Sequence, residues 1–278
     1  MEIKGLVSII IPSRNEPYLE KTVRDVLKKA VGNIEVIVFL DGWWDKAENI
    51  VDDKRVIYIH KSKSIGMRGG INSCVAISKG EYLLKIDAHI LFEKGFDEVL
   101  KKYHKDNWVQ VPRRYSLDVF KWEMEKRNDD KYPVDYAYLD KEFHGREWRE
   151  KNKDESLKYK HVDSLMSSQG SCWFMKKSYY HSLELMDEEN YGTFAREFQE
   201  ISLKCWLSGG QVMVNKNTWY AHWHKTESRG YSLDHKESDK ATKFMEKWMK
   251  DKGWHKQTLP IDWLINKFSP VPTWIETT

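Results

Sequence analysis

The alternation of short apolar runs with helical patterns over the first 90 residues constrains this chain more than any other feature. Leu6 to Ile11 (LVSIII) is a continuous apolar run ended by Pro12. It is too short for a helix and rich in β-branched residues, so it reads as a buried parallel strand. Tyr18 to Ala30 has helical spacing, with Leu19, Val23, Val26 and Leu27 on one face. Ile34 to Leu40 (IEVIVFL) is a second buried strand, closed by Asp41 and Gly42, and Arg55 to His60 is a third. Gly69 to Ser78 reads as a helix stopped by Gly80, and Tyr82 to Ile86 as a fourth strand ending in Asp87, Ala88 and His89.

This order specifies an α/β fold, a doubly wound (Rossmann-like) sheet. Ligands of such sheets bind beyond the carboxyl ends of the strands. Asn15, Glu16, Asp41, Asp87 and His89 all follow strands, so groups far apart in sequence converge on one edge.

The remainder is less regular. Residues 113–165 are dense in charge and aromatics and read as an insertion of helical pieces and loops, facing an acceptor. Strand character returns at Ser171 to Lys176 (SCWFMK) and Gln211 to Val214, and helical character at Glu197 to Trp206 and Asp239 to Lys250. The expected organisation is one domain over 1–235, with a helix and a Pro/Trp-rich tail over 236–278 packed on it.

Charge enters only locally. The net charge of +3 names no partner, but residues 201–278 carry 12 Lys/Arg against 8 Asp/Glu and 7 of the 13 Trp. Such a stretch is either a surface that grips a polyanion or a sugar, or a helix with a solvated basic face. Cys74, Cys172 and Cys205 are odd in number and widely spaced, which points to reduced thiols rather than a disulfide framework. No segment has the roughly 18–20 apolar residues of a membrane span, nor the layout of a signal peptide. The expected compartment is the cytoplasm.

Asp87 and His89 lie two apart at a strand end, so their side chains point the same way. A carboxylate and an imidazole suit a divalent ion such as Mn2+, which neutralises a diphosphate leaving group. The tripeptide alone is better explained as a helix-capping Asp beside a surface His. Asp41 with Gly42 also fits a tight turn, and Arg14 with Glu16 a surface ion pair.

The context extends the reading. Asp87 follows a glycine-bearing loop (Ser64 to Gly70), a helix and a strand, an arrangement resembling the first half of the type-A (GT-A) glycosyltransferase fold. The stretch RVIYIHKSKSIGMRGGINSCVAISKGEYLLKIDAHILFEKGFDEVL is similar to the polypeptide N-acetylgalactosaminyltransferases and their family 2 relatives. Tyr191, Gly192 and then Glu197 to Trp206 resemble that family's WGGENLEISFRVW segment, with Glu197, Glu200, Ile201, Ser202 and Trp206 identical. Tyr220 to Lys225 resembles its GHVFR, and ESDKATKFMEKWMKD its NxxRxAEVWMDE helix. The resemblance covers about residues 6–105 and 165–250 in motif order.

The resemblance implies a nucleotide-sugar-binding GT-A domain using a UDP-sugar donor and Mn2+ or Mg2+. It assigns Asp87, His89 and His222 as metal ligands, with His224 in reserve. It places Pro12, Arg14, Asn15 and Glu16 around the nucleoside, Asp41 near the uracil, and Gly66 and Arg68 toward the phosphates or base. Gly170 and Ser171 floor the sugar pocket, unless they form a plain loop, and Lys225 opens a segment to Ser232 that closes over the diphosphate. Glu197 and Glu200 are the candidate catalytic carboxylates. Inverting family 2 enzymes carry an aspartate after that first glutamate; here the residue is Phe198, which favours retention. No lectin domain of the kind the polypeptide-acting relatives carry is expected in these residues. The expected acceptor is a hydroxyl of a polypeptide, a glycan precursor or a hydroxylated DNA base.

Two other classes compete. A nucleotidyltransferase of similar topology opens with a glycine-rich phosphate loop, and Pro12 to Glu16 contains no Gly. A nucleic-acid-binding module without catalysis leaves the spacing of Asp87, His89 and His222 unexplained.

Overall fold

The computed structural model describes residues 2–44, 46–125, 133–225, 231–232, 235–250 and 252–275. The amino-terminal part alternates as the apolar runs require: β1 (Ile3–Ser13), α1 (Leu19–Lys29), β2 (Ile34–Asp41), β3 (Val56–Lys61), α2 (Gly66–Ile77), β4 (Gly80–Ile86) and β5 (Ile90–Phe92). Next, α3 (Phe96–Lys102) leads into the long β6 (Trp108–Asp118), which turns back through β7 (Glu123–Met124). A separate hairpin, β8 (Ala137–Leu139) and β9 (Gly145–Glu147), precedes the short α4 (Arg149–Lys153) and α5 (Glu155–Lys158) and then β10 (Val162–Ser164). After these come β11 (Cys172–Lys176), α6 (Lys177–Ser182), α7 (Glu188–Tyr191), α8 (Glu197–Leu207) and β12 (Gln211–His222). Last are α9 (His235–Met245), α10 (Lys247–Lys250) and α11 (Ile261–Phe268).

The main sheet runs β10-β12-β6-β11-β4-β1-β2-β3, with β5 added on β12 and β7 on β6. Every residue of β2 is buried, as a parallel strand covered on both faces demands. On α1, Leu19, Val23 and Val26 are fully buried, each such burial contributing about 1.5–3 kcal/mol. Glu20 in the first turn and Lys28 and Lys29 in the last match the helix dipole.

Strand direction positions the site. β4 is parallel to β1, and β1 to β2. β11 is antiparallel to both β4 and β6, so β6 shares the sense of β4, and β12 is parallel to β6. The carboxyl ends of β1, β2, β4, β6 and β12 therefore share one edge. The short β5 then pairs antiparallel with β12, placing His222 opposite Ile90, the residue after His89. Two backbone amides of β5 are held by α1: Ile90 N–H donates to Thr22 Oγ1 at 3.2 Å and Phe92 N–H to Asp25 Oδ2 at 3.0 Å.

Several elements differ from the sequence reading. Residues 113–165 hold more strand than helix, because β6 continues through Asp118 with Leu117 buried, and β7 to β10 follow. The expected strand at Gln211 to Val214 extends eight residues further, to His222. The basic helix is broken into α9 and α10. Ala241, Met245, Trp248, Leu264, Phe268 and Val271 join the same apolar core as the sheet. Trp206, Trp248 and Trp254 are buried in it, and Trp263 and Trp274 pack against it. The carboxyl-terminal tryptophans are thus mostly core, which removes the aromatic half of the polyanion-gripping argument. The three cysteines are buried and unpaired with one another. Among the described residues, no helix is long and apolar enough to cross a membrane.

Candidate active site

The shared edge encloses a cleft of about 950 Å3, near the upper end of small-molecule sites. Its walls carry Pro12, Arg14, Glu16, Asp41, Gly66, Asp87, His89, Gly170, Ser171, Glu197, His222, His224 and Lys225. The sequence reading named all of these.

At its centre, Asp87, His89 and His222 bring one ligand atom each to within 4.8 Å of one another. Asp87 and His222 are 135 positions apart, yet His222 Nε2 lies 3.1 Å from Asp87 Oδ2. The His222 Nδ1 is buried and has no hydrogen-bond partner among the described residues. Burial pushes the His222 imidazole down to about 3, against the pull of Asp87, so the ring is neutral, as a metal ligand must be. Burial alone raises the Asp87 carboxyl, but the Lys85 ammonium and the hydrogen bond with His222 outweigh it and hold it well below the usual range. An ionised carboxylate, two neutral-capable imidazoles and an orphaned buried nitrogen fit a divalent cation of the Mn2+ or Mg2+ kind.

Lys85 was not foreseen. It is fully buried and donates to Asp87 Oδ1 at 2.8 Å, to the Gly170 carbonyl at 2.6 Å and to Glu197 Oε2 at 3.2 Å. Burial opposes its charge, but the carboxylates of Asp87 and Glu197 prevail and raise its pKa. β4 is buried on both faces from Leu83 to Ile86, so its alternation does not single out Lys85. Glu197 also accepts from Trp173 Nε1 at 2.7 Å. Burial raises its carboxyl, with Lys85 opposing and Asp87 assisting.

Three expected site residues, Arg68, Glu200 and Asn15, lie off the cleft wall. Arg68 and Glu200 are both 0% exposed, do not line the cleft, and form an ion pair with each other behind it. Arg68 also donates to the Ala195 carbonyl at 2.8 Å and sits over the Tyr191 ring, while Glu200 accepts from Lys204 at 2.7 Å. Residue 68 falls on the inward face of α2 and residue 200 on that of α8, so both serve helix packing. Asn15 follows β1 with a φ of 52° and is not part of the cleft wall.

Asp41 lines the cleft but has a structural duty as well. Its carboxylate accepts from Ile65 N–H at 2.7 Å, Gly66 N–H at 3.1 Å and Ser64 Oγ at 2.7 Å, tethering the loop before α2. Arg14 donates to the same Ser64 Oγ at 3.0 Å and lies over the Tyr231 ring. Gly170 is a close-approach position: a Cβ there would meet Glu197 Oε2 at 2.4 Å. Ser171 Oγ is 2.9 Å from the Tyr220 hydroxyl. Lys225 donates to Glu16 Oε1 at 2.6 Å. The closing segment expected over 225–232 falls mainly on 226–230, outside the described residues.

The far end of the cleft is formed by Gly145, Arg146 and Glu147 of β9 and by Gln199 of α8. The nearby Asp140, Glu142 and His144 also cluster within 4.8 Å. The Asp140 oxygens there are already used, by Arg146 at 2.7 Å and by the His144 and Glu142 amides at 2.7 and 3.1 Å.

A mixed Rossmann-like sheet with an acidic residue and two imidazoles at its strand ends, facing one cleft, defines the GT-A class of glycosyltransferase fold. The family model described as glycosyl transferase family 2 matches residues 8–183, well over half of the chain, and the chain belongs to that family. Among curated relatives, glycosyltransferase GlyG of Streptococcus pneumoniae is 30% identical over 121 residues, 41% of this chain and 40% of that protein. The uncharacterized glycosyltransferase MJ1057 of Methanocaldococcus jannaschii is 31% identical over 93 residues, 31% of this chain and 32% of its own. The matches thus span well under half the length of these relatives. Among solved structures, GalNAc-T7 with UDP, GalNAc and Mn2+ superposes with a TM-score of 0.66 at 18% identity, over 82% of this chain and 45% of that one. Residues 1–349 of S. aureus TarS with UDP-GlcNAc give 0.59 at 12% identity, over 91% and 68%. At these identities the likeness is one of fold.

Proposed function

We propose that this domain transfers a sugar from a UDP-sugar to an acceptor hydroxyl, with Asp87, His89 and His222 holding a divalent cation. The observation that carries this reading is the meeting of those three ligand atoms within 4.8 Å on the wall of one large cleft. The UDP and Mn2+ of GalNAc-T7 and the UDP-GlcNAc of TarS, both sharing this fold, support the donor and the metal. When bound, the cation supplies Lewis-acid neutralisation of the departing diphosphate.

The chain's own groups do the rest. Arg14 and Asp41 form the nucleoside end of the cleft, and Lys225 brings a cation to the side where the diphosphate would lie. Gly170 keeps backbone close to the donor sugar, because no side chain intervenes. Glu197, fixed by Lys85 and Trp173, presents a carboxyl to the sugar pocket as its hydrogen-bond partner. Preorganised groups of this kind need no rearrangement as charge develops. The acceptor enters from the β9 side, past Arg146, Glu147 and Gln199. Phe198 is buried, so α8 offers no aspartate after Glu197 to act as base, which supports retention of configuration.

Isothermal titration of UDP with and without Mn2+ tests the reading. Wild type should bind UDP at least tenfold tighter with Mn2+, and Asp87→Ala should lose that gain. Equal affinity with and without Mn2+ in wild type overturns the metal assignment. Mass spectrometry of polypeptide, glycan and hydroxylated-DNA acceptors with a panel of UDP-sugars then identifies the substrates.

A further inference from the structure

We propose that Glu16 is a positioning residue, which orients the His89 imidazole toward Asp87 and His222 instead of cupping the nucleoside. This rests on the metal-site reading above. Glu16 lies three residues beyond β1, and its side chain is 10% exposed. Both carboxylate oxygens are engaged by protein. Oε2 is 3.0 Å from His89 Nδ1, and Oε1 accepts from Lys225 Nζ at 2.6 Å.

The chemistry follows from what a carboxylate can do. It only accepts hydrogen bonds, so in the neutral form of the ring the proton of His89 sits on Nδ1, facing it. The lone pair is then on Nε2. A carboxylate on the far nitrogen of a ligating histidine fixes both the tautomer and the ring plane. The remaining neighbours of His89 restrict it further. The His222 ring lies 4.9 Å away, centroid to centroid, and Trp223 packs edge-on at 5.6 Å. Trp223 is itself set edge-on against Tyr18 at 5.1 Å. The imidazole thus has one hydrogen-bonded nitrogen and an aromatic wall.

Lys225 gives Glu16 a second link. It follows His222 by three residues, so a single carboxylate joins the turn bearing His89 to the chain leaving β12. The two segments that supply the imidazoles are held in register by it. A nucleoside contact at Glu16 would have to displace one of these two bonds.

Two measurements on the full chain test the proposal: nitrogen-15 NMR of the His89 ring at neutral pH without metal, and Mn2+ titration followed by electron paramagnetic resonance without donor. Wild type should show the Nδ1–H tautomer. Glu16→Ala should lose that preference and weaken Mn2+ binding by roughly 10–100-fold. Glu16→Gln keeps an accepting oxygen and should retain the tautomer and bind Mn2+ better than Glu16→Ala. An Nε2–H tautomer in wild type overturns the proposal. So does a Glu16→Ala protein with unchanged tautomer and Mn2+ affinity but weakened UDP binding in EDTA. A wild type that binds no Mn2+ yet shows a Glu16-dependent tautomer supports the positioning role and sinks the metal reading instead.

Discussion

Lys85 donates to Asp87 Oδ1 at 2.8 Å from within the apolar layer of β4, so a fully buried ammonium stands directly behind a carboxylate that faces the cleft. The same ammonium reaches Glu197 on α8. It therefore screens two carboxylates from each other and joins the strand end to the helix.

Lys85→Met should leave Asp87 and Glu197 facing each other without a fixed cation. Removing one partner of a buried ionic group costs about 3–5 kcal/mol. The expected result is a large fall in the urea midpoint. Lys85→Met/Glu197→Gln should recover part of it, because one of the two stranded charges is gone. A double variant no more stable than Lys85→Met would show that the coupling is absent.

Arg68 and Glu200 separate stability from binding. Both lie behind the cleft, so Arg68→Met and Glu200→Gln should each lower stability by about 3 kcal/mol or more while leaving the KM for a UDP-sugar unchanged. Steady-state kinetics on protein kept well below its unfolding temperature checks this. A raised KM with normal stability would return Arg68 to the donor site.

Gly170→Ala tests the floor of the cleft. The added methyl would sit 2.4 Å from Glu197 Oε2. That oxygen is the far end of a flexible side chain, but Lys85 and Trp173 hold the carboxylate, so the backbone at 170 must move instead. The expected outcome is a fall in kcat/KM of roughly tenfold or more, corresponding to about 1.4 kcal/mol of transition-state stabilisation, with the unfolding midpoint little changed. Unimpaired kcat/KM would show that the donor sugar does not approach this backbone.

The sequence carried the fold wherever local physics sufficed. Buried apolar runs and one amphipathic helix defined β2, β4 and α1 within a residue or two, while β1 begins three residues before the apolar run that marked it. Strand-end position then brought Glu16, Asp41, Asp87 and His89 to one edge. What stayed hidden depended on tertiary partners. β6 was missed because the apolar run at Trp108 to Val111 is short and interrupted by Gln110, whose buried amide finds its partners, the Leu100 carbonyl and Asn215, only in the fold. Arg68 and Glu200 looked functional because the family resemblance placed them at the donor site, yet each is the other's buried partner across 132 positions. Lys85 drew no reading from the sequence, since only the fold reveals the two carboxylates that stabilise its charge.

His104 gives the chain a pH response that can be signed. Burial, with help from Lys176, holds its imidazole down at about 4, below the 6.5 of an unperturbed ring, while Asp106 and Glu81 oppose. Its Nδ1 lies 2.9 Å from Gln110 Nε2, a donor, and its Nε2 has no partner among the described residues. Its ring packs edge-on against Tyr82 and Phe174, so water reaches the new charge poorly. Between pH 6.5 and about 4 the unfolded chain binds a proton that the folded one refuses. The contribution is complete above the unfolded value and is lost as pH falls through that window, amounting to about 3 kcal/mol at 1.36 kcal/mol per unit. Urea midpoints taken at steps from pH 7 to 4, at fixed salt and without metal, should fall more steeply for wild type than for His104→Asn. His222, held at about 3 in the metal-free protein, contributes with the same sign to both and cancels from the difference. Parallel curves for the two proteins would mean that the ring at 104 charges as readily in the folded state as in the unfolded one.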